Sequence, residues 1–391
     1  MATLSSHVEP SVDVVASPLC LRGGLVFDSK SGDATPADVF IDGPLVKAVG
    51  VDACTGPDVP QIDAEGLLIV PGLVDLHAHV FDGVGDSVSA DAMCLGRGTV
   101  TVVDAGSAGA AAIDAFARIA KHADCDVLAW LNLSTVGLID TRVGELVPGP
   151  YLDAEAAIRA ARQHPDLVVG LKARLSTYAA GRGVRRVLDV LIAAGEELGL
   201  PVMVHVGDTD EPLEEIVAWL RPGDVVTHSL TGRKHGILDG NGRLRPGIAD
   251  AQARGVVFDS ARGMNHLSFE VLANALAEGF IPDTLSTDMT DAFLDTAEYS
   301  LATMATYLLA FGVPLHEVVA RMTVRPAAVV GRHRPSSIAA GGAADLTLLA
   351  VRDVQGVLRD VDGREVMATQ VISPVATVRA GTYRPCTPRG R

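Results

Sequence analysis

The sequence predicts an α/β fold, a (β/α)8 TIM barrel with a small β-sandwich domain built from both chain ends. Eight short apolar runs alternate with alanine-rich stretches of helical character, which is typical of parallel βαβ units. The length of 391 residues exceeds the roughly 250 that such a barrel needs. The eight runs are LLIVPGLVDL (67–76), GTVTVVDAG (98–106), DVLAWLNL (126–133), LVVGLKARL (167–175), PVMVHVG (201–207), DVVTHSL (224–230), GVVFDS (255–260) and DTLSTDM (283–289).

Both chain ends have a different pattern, in which short apolar runs are separated by glycine, aspartate and proline turns. We therefore expect residues 1–66 and 339–391 to form one small β domain, with 1–17 as a flexible leader. Residues 67–338 are expected to form the barrel. The helices that the pattern predicts are Ala110–His122, Ala154–Gln163, Val184–Leu198, Leu213–Leu220, Phe269–Glu278, Thr296–Phe311 and Leu315–Met322.

Composition and charge exclude several classes of protein. The chain is 48% hydrophobic and 20% charged, which is typical of a globular protein. A net charge of −16 would repel phosphate, so we expect neither a nucleic-acid partner nor a membrane partner. The N-terminus has no signal-peptide pattern, and no apolar run is long enough to span a bilayer.

The cysteines indicate a reducing compartment. Their number is odd, they are widely scattered, and no Cys-x-x-Cys pair occurs. This pattern favours reduced thiols over a disulfide framework, so we expect a cytoplasmic protein. The five cysteines are Cys20, Cys54, Cys94, Cys125 and Cys386.

The stretch from Leu67 to Phe81 organises the candidate site. It begins as an apolar run and ends in Asp75, His77 and His79, which share one face of a strand because side chains alternate. Four further runs also end in residues that can carry chemistry, and barrel active sites lie at the C-terminal ends of strands. These residues are Lys172, His205, His228 and Asp288. Together, four histidines, a lysine and an aspartate predict a metal site.

In this order and on these strands, the six residues resemble the binuclear metal-dependent amidohydrolase superfamily, which includes dihydroorotases and hydantoinases. The segments GLKAR, MVHVG, VVTHSLTG and IPDTLSTDM are similar to its amidohydrolase/deacetylase branch. The terminal segments GGLVFD and GGAADLTLL also resemble its split β domain. The likeness covers almost the whole chain.

The resemblance implies two divalent metal ions, most simply Zn²⁺, and a carbamate on Lys172 formed from CO2. His77, His79 and Asp288 would hold one ion, His205 and His228 would hold the other, and the carbamate would bridge both. A hydroxide that bridges the metals would attack the substrate carbonyl. Asp288 would be the catalytic residue that moves the proton to the leaving group.

Four residues are candidates for substrate contact. Arg174 lies two positions after Lys172 and could clamp a carboxylate, or it could form a structural ion pair with a loop acid. Tyr178 follows on the same loop. Arg262 and His266 lie after the seventh run, where the deacetylase-like branch usually has Gly-His-Gly and this chain has Ala261-Arg262-Gly263. Either residue could contact substrate or face solvent.

The sequence thus predicts a metal-dependent hydrolase that cleaves an amide or ester of a small acylated amino or hydroxy acid, as a deacetylase does. The substrate is expected to be a small anionic molecule. One alternative is a cyclic amide hydrolase of the dihydroorotase or hydantoinase kind. A further alternative is a non-catalytic barrel that only binds a ligand. Barrel enzymes often assemble, so a homo-oligomer is left open.

Overall fold

A computed structural model describes residues 13–54, 56, 58–140, 142–147, 149–296, 299–331 and 337–386. Most of the predicted leader, His7, His333 and the last five residues lie outside the described residues. The described end of the leader contains a two-residue strand, Val15–Ala16, which pairs with the strand Thr382–Pro385. A flexible leader that extends to residue 17 is therefore wrong at its C-terminal end.

The described residues form sixteen strands in two sheets. The strands are β1 (Val15–Ala16), β2 (Leu19–Phe27), β3 (Ala34–Asp42), β4 (Leu45–Gly50), β5 (Gln61–Asp63), β6 (Leu68–Pro71), β7 (Leu73–Ala78), β8 (Thr99–Gly109), β9 (Asp126–Asn132), β10 (Val168–Arg174), β11 (Val202–His205), β12 (Val225–Thr227), β13 (Val257–Asp259), β14 (Leu346–Arg359), β15 (Glu365–Arg379) and β16 (Thr382–Pro385). Both chain ends contribute to one nine-stranded sheet, in which β6 lies between β2 and β14.

The second sheet is parallel, and its seven strands β7 to β13 follow one another in chain order. The predicted eighth run is not a strand in the structure. It instead forms two isolated parallel bridges, one between Thr284 and Asp259 of β13 and one between Met289 and Ala78 of β7. The segment therefore contacts both edge strands of the sheet, and it carries Asp288 to the C-terminal end of β7.

The first predicted run is two strands that belong to different sheets. β6 pairs with β2 and β14, and β7 pairs with β8. Gly72 lies between them, and a Cβ at this position would lie 2.8 Å from the Cβ of Val100. The chain can pass this closely because glycine has no side chain. The sequence is apolar on both sides of Gly72, so the pattern gave no sign that one strand ends and another begins there.

The helices of the described residues include all seven predicted ones, although two begin later than predicted, at Ile113 and at Leu301. Ser268 and Ser300 cap two of them by accepting hydrogen bonds from backbone N–H groups three residues later. The helices are α1 (Ala90–Met93), α2 (Ile113–His122), α3 (Ala154–Gln163), α4 (Thr177–Ala180), α5 (Val184–Leu198), α6 (Leu213–Trp219), α7 (Ile248–Ala253), α8 (Phe269–Ala277), α9 (Leu301–Ala310), α10 (Leu315–Met322) and α11 (Val324–Val329), with 3-10 turns at Leu95–Arg97 and Asp291–Phe293. No helix in these described ranges is long and apolar enough to cross a membrane.

The expectation of five reduced thiols is wrong. Cys20 and Cys54 form a disulfide, with their Cα atoms 5.9 Å apart. They are 34 residues apart in sequence, but β5 returns alongside β2 with Gln61 opposite Cys20. This return brings the intervening loop close to the start of β2. The other three cysteines are free and buried.

An apolar cluster packs around Trp130 of β9. The indole N–H of Trp130 donates to the carbonyl oxygen of Leu76 at 3.1 Å. A Cβ at Gly170 would lie 2.2 Å from the indole ring, so glycine makes room for it. Met203, on β11, belongs to the same cluster. Polar side chains of the candidate site therefore have an apolar layer beside them.

Candidate metal centre

Side chains from five of the predicted runs meet in one cavity of about 160 Å³. Alternation along β10 and β11 directs Lys172 and His205 to the same side as the apolar cluster, at the C-terminal ends of the strands. All six residues that the sequence predicts as metal ligands line this cavity. They are His77, His79, Lys172, His205, His228 and Asp288.

Asp288 lies against both histidines of β7 and its extension. Its Oδ1 is 3.3 Å from Nε2 of His77 and 3.2 Å from Nε2 of His79. Burial opposes ionisation of Asp288, but the neighbouring His77 holds the pKa of this carboxyl group well below its usual range. Burial lowers the pKa of His77 to about 3. Burial thus disfavours the charged form of His77, whereas contact with the imidazoles favours the charged form of Asp288.

Hydrogen bonds fix which nitrogen of His77 faces the cavity. Its Nδ1 lies 2.7 Å from the hydroxyl oxygen of Thr227, and that hydroxyl donates to Asp259 at 2.8 Å. Because the Thr227 proton is used on Asp259, its oxygen accepts from Nδ1–H of His77. The lone pair of Nε2 then points toward Asp288, as a metal ligand requires.

His228 is oriented in the same way. Its Nδ1 is 2.8 Å from the carbonyl oxygen of Ala261, which can only accept a hydrogen bond, so Nδ1 carries the proton and Nε2 is the free base. The backbone of His228 has φ +67° and that of Asp288 has φ +53°. Left-handed backbone at two non-glycine residues is costly and clusters at functional sites.

Asp259, a buried acid behind the histidines, was missed by sequence analysis. Asp259 accepts hydrogen bonds from the hydroxyls of Thr227, Thr284 and Ser286 at 2.6–2.8 Å. Burial raises the pKa of Asp259 to about 6. The one sequence signal was that Asp259 follows an otherwise apolar run. Ser107, which contacts Nδ1 of His79 at 2.9 Å, carried no signal.

Lys172 is buried, with 1% of its surface exposed. Its ammonium nitrogen lies 3.1 Å from the sulfur of Met203, a weak acceptor. Burial lowers the pKa of Lys172 to about 7, so a large fraction of the amine is neutral near neutral pH. Gly106 makes room for this side chain, because a Cβ there would lie 2.9 Å from Cγ of Lys172.

The described residues form two groups whose ligand atoms lie within 4.8 Å of one another. One is His77, His228 and Asp288, and the other is His205, His228 and His266. Burial lowers the pKa of both His205 and His228 well below the usual range. Neutral imidazoles and a carboxylate at this spacing are donors that fit divalent cations such as zinc.

The predicted substrate contacts are divided by the structure. Arg174, Tyr178 and His266 line the cavity. Arg174 also forms a bidentate ion pair with the buried Glu145, with both nitrogen–oxygen distances 2.6 Å, so the structural alternative for this residue is realised as well. Glu145 lies in the long loop after β9, and nothing in its sequence context indicated a partner.

Arg262 lies away from the cavity lining that the described residues form. Its guanidinium carbon is 5.2 Å from the ring centre of Tyr299 and 5.7 Å from that of Phe293. It also donates to the carbonyl oxygen of Gly263 at 3.1 Å. The substrate contact of Arg262 therefore stays a prediction, and in this structure the guanidinium group packs on the two rings.

The chain is similar to known proteins over most of its length. The model of the amidohydrolase family matches residues 68–372. A deacetylase of Enterococcus faecalis is 29% identical over 91% of this chain and 97% of its own length. A deacetylase of Agrobacterium fabrum is 32% identical over 85% of this chain and 83% of its own length.

Solved structures of other hydrolases have a similar fold. A crystal structure of an adenine deaminase superposes with a TM-score of 0.87 at 28% identity, over 94% of this chain and 99% of the other. A crystal structure of a dihydroorotase superposes with a TM-score of 0.86 at 28% identity, over 95% and 99%. The chain is an enzyme, a hydrolase that belongs to the amidohydrolase family.

Proposed function

We propose that this hydrolase is metal-dependent and cleaves the amide or ester of a small acylated amino or hydroxy acid, as a deacetylase does. The observation that carries the proposal is the convergence of six candidate ligands on one cavity, with Asp288 within 3.3 Å of two imidazole nitrogens. Relatives named deacetylases, about 30% identical over most of the chain, support the acyl substrate.

The donor set fits two cations. His77, His79 and Asp288 would hold one ion, and His205 and His228 would hold the other. Zinc is the ion that we expect, because imidazole and carboxylate are its usual ligands. When bound, the ions supply a Lewis acid for the substrate carbonyl and a water that is acidic near neutral pH.

Lys172 would become a ligand by reacting with CO2. A new bond forms between its nitrogen and the carbon of CO2, one proton leaves the nitrogen, and an anionic carbamate remains. The buried amine with a pKa near 7 is suited to this reaction, because only the neutral form is nucleophilic. A carbamate oxygen can bind a cation, whereas an ammonium group would repel it.

Asp288 would accept the proton of the attacking water and deliver it to the leaving nitrogen or oxygen. Its partial burial and its contacts with the two histidines support this role. General acid–base assistance of this kind contributes about 10²–10⁴-fold to rate.

The cavity supports a small substrate. Its volume of about 160 Å³ is below the roughly 300–1,000 Å³ of sites for drug-sized ligands. Arg174 uses Nε and Nη2 on Glu145, so it would offer an anionic substrate one remaining nitrogen. Tyr178 is 54% exposed and would cover the mouth of the cavity.

A panel of substrates tests the reaction. N-acetyl amino acids and O-acetyl hydroxy acids should be hydrolysed, whereas cyclic ureides should be poor substrates. The second candidate, a cyclic amide hydrolase, is favoured by the dihydroorotase structure at a TM-score of 0.86. Activity on cyclic ureides alone would reject the acyl proposal in favour of this one.

Metal analysis tests the mechanism. Purified protein supplied with zinc and bicarbonate should contain nearly two ions per chain, and Asp288→Asn should keep much of the metal while losing nearly all turnover. Lys172→Ala should lose metal, and added short-chain carboxylates should restore part of the activity. Less than one ion per wild-type chain would contradict the proposal, as would full unaided activity of Lys172→Ala.

We further propose that the parallel sheet is a closed (β/α)8 barrel. The nine-stranded sheet, called the mixed sheet because it has both parallel and antiparallel pairs, would belong to a β-sandwich domain built from residues 1–66 and 339–391. Hydrogen bonds from Asp288 N–H to the His77 carbonyl at 2.7 Å and from Ser260 N–H to the Thr284 carbonyl at 3.1 Å support closure through the eighth segment.

A further inference from the structure

The ring of His266 lies directly against two of the candidate metal ligands, His205 and His228. It sits on the loop between β13 and α8, and its ring is stacked on that of His228 with centroids 4.0 Å apart. The ring centroid of His205 is 5.1 Å away. One nitrogen from each of the three imidazoles falls within 4.8 Å of the other two, which is the spacing of atoms that can share one cation.

The side chain of His266 is held by its partners. Its Nδ1 is 3.1 Å from the hydroxyl oxygen of Thr231, whose oxygen also accepts a hydrogen bond from the N–H of Arg233 at 3.2 Å. In the tautomer in which Nδ1–H donates to Thr231, the lone pair of Nε2 is left free to bind a cation. Thr231 is buried, with 2% of its surface exposed, so this contact is a fixed one.

The loop that carries His266 is anchored on both sides. The N–H of His266 donates to the carbonyl of Arg262 at 2.9 Å, and the N–H of Ser268 donates to the carbonyl of Leu230 at 3.0 Å. The N–H of Phe269 donates to the carboxylate of Asp360, at the tip of the β14–β15 hairpin, at 2.8 Å. Such support orients a ligand before the metal arrives.

We propose that His266 is a third imidazole ligand of the cation held by His205 and His228. This inference rests on the proposed metal site and adds a residue to it. Together with the proposed carbamate of Lys172, three imidazoles would give this ion one ligand more than His205 and His228 supply, and imidazole is one of the ligands that zinc usually takes in proteins. The second ion would therefore be retained more strongly than two histidines allow.

The proposal separates a ligand from a substrate contact. A ligand changes metal affinity in the absence of any substrate, whereas a residue that touches only substrate changes KM and leaves the metal unaffected.

The test is a titration of metal-free protein with zinc and with cobalt, without substrate. We expect His266→Ala to bind one of two ions more weakly by more than the roughly 10–100-fold that loss of an outer-shell partner costs, and to change the visible absorption of the bound cobalt. The exposed His122, far from the cavity on α2, provides the control, because His122→Ala should bind both ions as the wild type does.

His266→Glu guards against simple misfolding. A carboxylate can replace imidazole as a ligand, so this variant should regain a large part of the lost affinity while His266→Ala does not. Unchanged affinities and cobalt spectra in folded His266→Ala would overturn the proposal, as would equal losses in the Ala and Glu variants. Failure of the wild type to bind two ions would instead refute the underlying metal site.

Discussion

Asp288 owes its position to a residue without a side chain. Gly263 has φ +49°, and a Cβ added there would lie 2.1 Å from Oδ2 of Asp288. The N–H of Gly263 also donates to the Thr287 carbonyl at 3.0 Å. The turn after β13 therefore passes directly against the carboxylate that lies beside His77 and His79.

We predict that Gly263→Ala lowers kcat at least ~100-fold, since displacement of a catalytic group by about 1 Å can cost that much. Steady-state kinetics would measure the loss. Gly279 is the matched control, with φ +81° and no atom within 4 Å of an added Cβ. Gly279→Ala carries a similar backbone cost of about 1–2 kcal/mol but should keep full activity. Equal kcat values in both variants would contradict the role of Gly263.

At this scale, sequence analysis found the residues whose chemistry is conspicuous and missed those that depend on contacts. Lysine and histidine at the ends of apolar runs stand out, because such positions are costly for polar groups. The Glu145 partner of Arg174 lies 29 positions away, and Arg262 packs on the rings of Phe293 and Tyr299. Neither contact has a periodic signal.

The β14–β15 hairpin joins the mixed sheet to the loop that carries His266. Its tip is organised by Asp360, whose Oδ1 accepts hydrogen bonds from the N–H groups of Asp362 and Arg364 at 2.9 and 2.8 Å. Its Oδ2 accepts from the N–H of Phe269, in the first turn of α8. One buried carboxylate thus fastens two elements that are far apart in sequence.

We predict that Asp360→Ala lowers the free energy of unfolding by about 2–3 kcal/mol, because buried N–H groups lose a charged acceptor. Denaturant unfolding followed by circular dichroism would measure the change. Asp353, on the same hairpin, is exposed and bonds only to the side chain of Gln370 among the described contacts. Asp353→Ala should change stability by less than about 0.5 kcal/mol. Similar losses in both variants would refute the fastening role.

The sequence predicted strands and helices correctly where all residues of an apolar run have the same kind of surroundings in the fold. Strands β8 to β13 are covered on both faces, so they appear as continuous apolar runs, and the helices between them are amphipathic. The first run was wrongly predicted as one strand. Leu68–Pro71 and Leu73–Ala78 lie in different sheets, but both are fully buried, so the apolar pattern continues across the break. The eighth run, predicted as a strand, forms only two isolated bridges within the described residues, and three of its hydroxyl side chains donate to the buried Asp259 and Asp75.

For the whole molecule, the proposed metal site also predicts a link between ions and stability. Lys172, His205 and His228 come from separate βα units, so a bound cation would tie distant parts of the chain together. An ion that binds only the folded state stabilises it by RT ln(1 + [L]/Kd), or about 2.7 kcal/mol at 100 times Kd. The unfolded chain cannot assemble these ligands, which is why the gain belongs to folding.

We therefore expect a chelator to lower the Tm of the wild-type protein by several degrees, and added zinc to restore it. Differential scanning calorimetry at fixed pH would measure both changes. The double variant His205→Ala/His228→Ala, which lacks the predicted ligands of one ion, should show a clearly smaller response to the same chelator. The same Tm for wild-type protein with zinc and with chelator would mean that no bound ion stabilises the fold, and it would contradict the proposed metal site.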